Sequence, residues 1–414
     1  MGTTTRRDFL KNVALGGTVT GLGISAAGLF PRLIYSEEKS VLNKIVYRQL
    51  GSTGFKVSEI GFGAMNMRDP ELVQAAIDSG INYIDTANGY MNGVNEEIIG
   101  SVMKSKREKV FLTTKISGRD PGNMPDMLQT SLKRLQTDHV DLLLLHNISS
   151  TEPILNADMI KFFDNARSKG YTRFVGFSTH NFQGEFPEAA IKDKFWDAVL
   201  VVYNYFSPPE IGESIKKVRE AGLAVIAMKS LLKMEYGPSS ESREASDQPR
   251  TQRSRQQREP IGDIREDKTS NVTPQQALLK WVLNNPHVDT VIPGMTSFEH
   301  VAEDVAVMGM KLSFNDEATL RRFSENTKGR YCHGLNGCEG CRDKCPNGVE
   351  IKEINRCLGY AYGYKNIELA RENYRQLPVS NRIDICADCD ECVVKCVNGL
   401  SLTENVQKAR ELFA

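Results

Sequence analysis

Four side chains carry the chemistry open to this chain: Asp85, Tyr90, Lys115 and His146. A carbonyl being reduced needs a hydride on carbon and a proton on oxygen. A phenol is a poor acid at neutral pH, with an ordinary pKa of about 10. An ammonium beside it stabilises the phenolate and lowers that value, and a carboxylate beside the ammonium holds it charged and in place. An imidazole near the carbonyl oxygen orients it and donates a hydrogen bond. These residue types therefore assign Tyr90 as general acid/base, Lys115 as its tuner, Asp85 as the partner of the lysine and His146 as the orienting group. Taken singly, each has an ordinary structural use as helix cap, packing ring, solvated amine or satisfied histidine. Their positions in the chain set them apart.

Asp85, Lys115 and His146 close short apolar runs, and Tyr90 follows in the loop after Asp85. There are eight such runs: residues 60–65, 82–87, 110–115, 140–146, 174–179, 198–204, 224–229 and 289–294. Each is about a strand long, and near-continuous hydrophobicity suits a parallel strand covered on both faces. Amphipathic segments lie between them. One opens with Thr273 as N-cap, Pro274 in the first turn and Gln276 at the capping-box position. Eight units predict an α/β fold, a (β/α)8 TIM barrel over 45–327. An open doubly wound sheet is the alternative, disfavoured by the even spacing and by the lack of GxGxxG after the first run. Barrel active sites sit where the strands end, so the four groups converge on one mouth. Residues 237–271 have almost no large apolar side chains and are expected to form a flexible insert between the seventh strand and its helix.

All nine cysteines lie at or after Cys332. The spacings are Cys332-x5-Cys338-x2-Cys341-x3-Cys345-Pro and Cys386-x2-Cys389-x2-Cys392-x3-Cys396. The second is the C-x2-C-x2-C-x3-C run that holds three corners of a [4Fe-4S] cubane and lends its last thiolate to the other cluster; the first approximates it with a longer opening gap. Two [4Fe-4S] clusters are expected, with Cys396 joining the cluster of Cys338 and Cys345 that of Cys386. Cys357 is left over as a buried helical thiol. Structural zinc and disulfides are the alternatives.

The segments GINYIDTANGYMNGVNEEIIG, VFLTTK, VDLLLLH and VIPGMTSFEHVAED resemble the aldo/keto reductases, over about residues 45–325. The resemblance implies an NAD(P)-dependent barrel enzyme with Asp85, Tyr90, Lys115 and His146 as its tetrad. It places Ser178 and Thr179 at the nicotinamide carboxamide. It places Lys229, Gly294, Met295 and Thr296 at the pyrophosphate and adenosine ribose, and Glu303 and Asp304 at adenine. Several residues depart from the family pattern. Leu200 replaces a carboxamide-binding Gln, Met228 a stacking Tyr and Thr179 a frequent Asn. Leu232 and Lys233 stand where glycines are common. Gly294 and His300 stand where NADP-preferring members carry cations, each worth about 1.5–3 kcal/mol to a 2′-phosphate. The cofactor implied is NAD or NADP, without a built preference for NADP. The cysteine motifs resemble the small α-rich, dicluster ferredoxin-like domain appended to one branch of this family, here 328–414.

Arg6 and Arg7 precede an uncharged, glycine- and alanine-rich run from 13 to 30, with Ser25 and Ala27 near its end. Residues 1–30 read as a twin-arginine export signal, with the twin-arginine translocase as partner and a periplasmic or membrane-tethered destination. A membrane anchor is the alternative, because 18 apolar residues just span a bilayer. Iron–sulfur clusters are assembled inside the cell, and a pathway that moves folded proteins suits them. The formal net charge is +0, so no long-range field draws nucleic acid. The expected substrate is a small carbonyl compound or alcohol, and the expected partner of the cysteine domain is an unidentified redox protein. The other reading is a non-catalytic electron-transfer or binding subunit on a degenerate barrel.

Overall fold

The computed structural model describes residues 45–117, 121–231, 273–336, 338–341, 343–388 and 392–413. The expected export signal at 1–30, the expected insert at 237–271, Leu232, Lys233 and Cys389 lie outside the described residues. An antiparallel hairpin, β1 (Tyr47–Gln49) and β2 (Lys56–Ser58), opens the described chain. Eight parallel strands follow: β3 (Phe62–Gly63), β4 (Tyr83–Asp85), β5 (Phe111–Ile116), β6 (Val140–Ile148), β7 (Thr172–Thr179), β8 (Ala198–Val202), β9 (Ala224–Met228) and β10 (Thr290–Val291). Each falls on one of the eight apolar runs. They pair in sequence order. Parallel bridges from Ile60 to Val291 and from Gly63 to Gly294 return the last strand to the first. The curled sheet is the (β/α)8 barrel that the eight runs predict.

Even the most apolar strands keep a period of two. Leu142 and Leu144 point inward to a cluster with Tyr83, Phe111, Leu200 and Ile226. Leu143 and Leu145 point outward to the layer beneath the helices. Inside the barrel, the hairpin plugs the floor with Leu50 and Val57, both fully buried. Helices alternate with the strands. The helix Pro274–Leu283 carries the expected capping box: Thr273 Oγ1 accepts from Gln276 N at 3.2 Å, and Gln276 Oε1 accepts from Thr273 N at 3.4 Å.

After the helix Phe314–Thr327, a second core forms from residues 332–413. Its main helices are Ile351–Leu358, Ile367–Arg375 and Leu402–Phe413. A π-helical turn, Gly359–Gly363, joins the first two and faces the barrel. The two bodies touch through Asn366 Nδ2, which donates to Asn66 Oδ1 at 3.2 Å, and through Phe206 against Tyr331 and His333.

Candidate active site

Strand parity places three of the four groups. Tyr83 points into the barrel, so Asp85 does too; Phe111 and Thr113 bring Lys115 inward; Leu142 and Leu144 bring His146 inward. Tyr90 reaches the same mouth from a strained loop. Met91 (φ 52°), Asn92 (φ 55°) and Gly93 (φ 93°) are consecutive left-handed residues. Non-glycine residues in that region cost energy and gather at functional sites. At Gly93 a Cβ would lie 2.1 Å from the Arg134 guanidinium, which itself donates to Asn88 O at 3.2 Å.

The Lys115 ammonium donates to Asp85 Oδ1 at 2.5 Å, to Thr86 O at 2.7 Å and to Tyr90 OH at 3.2 Å. The Tyr90 ring stands edge-on to His146, 5.8 Å between centroids. His146 Nδ1 lies 3.4 Å from Ser117 Oγ. All four expected residues are therefore brought together on one rim.

Burial dominates the electrostatics. It lowers the Lys115 amine and raises the Asp85 carboxyl, and their ion pair works against both shifts. Tyr90 is pushed above the ordinary tyrosine range by burial and then by the Asp85 charge, with Lys229 as the cation pulling it back. In the free site burial and the Asp85 charge outweigh the Lys115 ammonium, which is itself paired with Asp85 at 2.5 Å. The free site thus holds a protonated phenol. Burial, then Lys115, Lys229 and Arg356, pushes His146 down to about 3, so its imidazole is neutral.

Two adjoining cavities open at the rim. The larger, about 640 Å³, includes Tyr90, Lys115, His146, Ser178, Met228 and Lys229 in its wall. The smaller, about 270 Å³, shares Tyr90, Met228 and Lys229 and adds Asp85, Leu200, Gly294 and Thr296. The cysteine-bearing body roofs both. It gives Tyr360, Glu372, Asn373 and Arg375 to the larger and Gly363, Tyr364 and Lys365 to the smaller.

The residues expected at a cofactor divide. Ser178, Lys229, Gly294 and Thr296 line the cavities. Thr179 has outward parity, and its hydroxyl donates to Ile148 O at 2.8 Å. The Met295 side chain is fully buried in the outer core. Glu303 accepts from Thr273 Oγ1 at 2.5 Å and so braces a helix N-terminus, and Asp304 is buried beside it. Leu200 and Met228 present apolar surface to the smaller cavity. Sequence reasoning passed over His180, Ser230, Tyr360, Tyr364 and Lys365. The first two had a signal, since each continues the inward parity of its strand by one more step. His180 Nδ1 pairs with Asn147 Oδ1 at 2.6 Å, and Asn147 is itself left-handed (φ 55°).

In the second core, Cys332, Cys338, Cys341 and Cys396 lie within mutual electrostatic reach. Burial first, and then the neighbouring thiols, pushes Cys332 up to about 12 and Cys341 to about 11. Backbone N–H groups already point at the sulfurs. Gly334 N donates to Cys332 Sγ (3.2 Å), Gly340 N to Cys338 Sγ (3.4 Å) and Asn398 N to Cys396 Sγ (3.4 Å). N–H···S contacts of this kind hold and tune thiolate ligands. Cys345, Cys386 and Cys392 pack in the same core, and Cys357 is fully buried on the helix Ile351–Leu358. Among the described residues no group of three or more His, Cys, Asp or Glu is placed so that it could hold a metal ion.

The fold and rim define a (β/α)8-barrel oxidoreductase. Residues 59–325 match the family model of the aldo/keto reductase family. The chain belongs to that family. Among its relatives, a probable aldo-keto reductase 1 of Glycine max is 26% identical, covering 69% of this chain and 92% of that protein. The oxidoreductase YrpG of Bacillus subtilis is 29% identical, over 67% of this chain and 95% of that protein. The oxidoreductase YqkF of the same organism is 32% identical over 149 residues, 48% of its length. The structure of an aldo/keto reductase from Klebsiella pneumoniae in complex with NADP and acetate superposes with a TM-score of 0.53 at 25% identity, covering 67% of this chain and 95% of that one.

Proposed function

We propose that this protein is an exported, NAD(P)-dependent oxidoreductase that interconverts a small carbonyl compound and its alcohol, with electron transfer through two [4Fe-4S] clusters in its C-terminal domain. The domains are a signal over 1–30, a barrel over 45–327 and a cysteine domain over 328–414. The observation that carries the reading is the Lys115 ammonium, held between Asp85 and the Tyr90 hydroxyl where two adjoining cavities share Tyr90 in their walls. The Klebsiella relative, bound to NADP, supports the dinucleotide.

When bound, the nicotinamide supplies or accepts the hydride. The residues of this chain handle the rest. The protonated Tyr90 phenol donates to the carbonyl oxygen as negative charge grows there, and the Lys115 ammonium stabilises the phenolate left behind. Neutral His146 still carries one N–H with which to orient the same oxygen. In the alcohol-oxidising direction Tyr90 takes the proton back. Cys332, Cys338, Cys341 and Cys396 would hold one cluster, and Cys345, Cys386, Cys389 and Cys392 the other; the clusters carry single electrons. Twin-arginine export accounts for the N-terminal arginines and for a cysteine-free barrel.

Leu200 and Met228 favour a second reading, a barrel that has lost cofactor affinity and serves electron transfer alone, because neither offers a carboxamide a hydrogen bond. Fluorescence titration with NADH and NADPH separates the two. Saturable binding of either is expected, and absence of both removes the dehydrogenase reading. Given binding, Tyr90→Phe is expected to retain the dinucleotide and to lose carbonyl reduction by about 10²–10⁴-fold, the contribution of a positioned acid. Unchanged turnover would show that another group protonates the substrate.

A further inference from the structure

The smaller cavity contains groups that the proton chemistry does not use. Lys229 follows β9 with left-handed backbone, φ 59°, and Lys365 on the cysteine-bearing body has φ 50°. Backbone strain in non-glycine residues has to be supported by the surrounding structure and gathers at binding sites. Both lysines line this cavity, and among the described residues no carboxylate is paired with either. Asp85, the carboxylate on the same wall, is bound by Lys115. The Lys229 ammonium lies 4.9 Å from the Tyr360 ring centre and 4.8 Å from that of Tyr364. Two aromatic faces hold a cation without neutralising it. Ser230, 1% exposed, lines the same wall, and its buried Oγ has no hydrogen-bond partner. A buried hydroxyl left unpaired is costly unless a ligand completes it. Gly294 leaves open space beside these groups, since a Cβ there would meet nothing within 4 Å.

Two uncompensated ammonium groups, a hydroxyl donor and no free carboxylate are the complement of a phosphate ester or diphosphate. We propose that Lys365 of the cysteine-bearing body and Lys229 of the barrel form a two-sided clamp on a phosphate of the dinucleotide, with the Ser230 hydroxyl as a further donor. The clamp rests on the dinucleotide reading above and adds to it. One cation of the clamp is thus supplied from each body, and dinucleotide binding ties the two bodies together.

The test uses the full-length protein and two variants, Lys365→Gln and Lys365→Arg. Lys365 is exposed and outside both cores, so neither change threatens folding. NADH and NADPH are titrated into each at low and high salt. Lys365→Gln is expected to weaken at least one dinucleotide about tenfold, as loss of a charge-assisted contact does. Its binding should also become less sensitive to salt. Lys365→Arg should keep most of the affinity. Equal weakening of NADH and NADPH puts the diphosphate at Lys365, whereas weakening of NADPH alone puts the 2′-phosphate there. Retention of both affinities within about twofold in Lys365→Gln, less than 0.5 kcal/mol, overturns the clamp and leaves the dehydrogenase reading intact. Failure of the unaltered protein to bind either dinucleotide overturns both.

Discussion

His146 and His180 meet the larger cavity as neutral imidazoles, and that state leaves a mark on stability. Burial is the main cause for both; the cations Lys115, Lys229 and Arg356 add to it for His146, and Arg356, Lys229 and Lys352 for His180. An unfolded histidine titrates near 6.5, whereas folded His146 stays neutral down to about 3 and His180 is held well below its usual value. Between those limits the unfolded chain binds more protons than the folded one, so stability is full above about pH 6.5 and falls as the pH is lowered. The urea midpoint is therefore expected to drop between pH 7 and 5, and to drop less in a His146→Asn/His180→Asn double variant. Equal slopes in the two proteins would assign the acid sensitivity to other groups. The same residues show how far side-chain parity reads from a strand sequence. Ser178 and Thr179 are neighbours, yet only Ser178 has the parity of Phe174 and faces the cavity; Thr179 turns to the backbone of Ile148. The rule also reaches His180 and Ser230, which family resemblance passes over. It fails at Lys229, whose left-handed backbone swings an outward position into the mouth.

The helix Val94–Lys106 fixes the loop that carries Tyr90. Its first turn ties three strand ends together. Asn95 Nδ2 donates to Ala64 O at 2.7 Å, Asn95 Oδ1 accepts from Thr86 Oγ1 at 2.7 Å, and Glu96 Oε1 accepts from Thr114 Oγ1 at 2.6 Å. The helix holds its position by close approach to the next one. A Cβ at Gly100 would lie 2.1 Å from Arg134 O and 2.9 Å from Leu135 C, both backbone atoms. Gly100→Ala would gain about 1 kcal/mol of helix propensity, but forcing the backbones apart costs about 1–3 kcal/mol, and the second effect is expected to win. The expected outcome is a Tm lowered by a few degrees in calorimetry, together with a reduced turnover as the Tyr90 loop shifts. A Tm equal to or above that of the parent would mean that the two helices separate at no cost. At this scale the sequence was informative because each apolar run is also a strand. The hairpin that plugs the floor was not legible: its strands have three residues each, and their pairing is decided by packing under the barrel.

At the scale of the molecule, the cysteine spacing announced a second body but not where it docks. No local pattern in residues 359–366 reports that Tyr360, Tyr364 and Lys365 roof a barrel mouth, because that depends on the fit of two separate cores. The roofing segment joins the helices Ile351–Leu358 and Ile367–Arg375. Both helices contribute to the core that contains the thiols, through Ile351, Ile354, Cys357, Leu358 and Tyr374. Loaded with the clusters proposed above, a small core of this kind would draw much of its stability from the metal that displaces the thiol protons. Anaerobically purified protein is expected to contain about eight iron atoms and eight acid-labile sulfides per chain, for two [4Fe-4S] clusters; about two zinc ions instead would replace the clusters with structural sites. Because the roof hangs from that core, chelating the metal should loosen Lys365 as well as the thiols. The cluster-free protein is then expected to bind NADH more weakly, by about the tenfold predicted for Lys365→Gln, and to become open to proteolysis beyond Thr327 while the barrel stays resistant. An unchanged NADH affinity after complete loss of iron would show that the roof is held by its barrel contacts, Asn66 with Asn366 and Phe206 with Tyr331, independently of the state of the thiols.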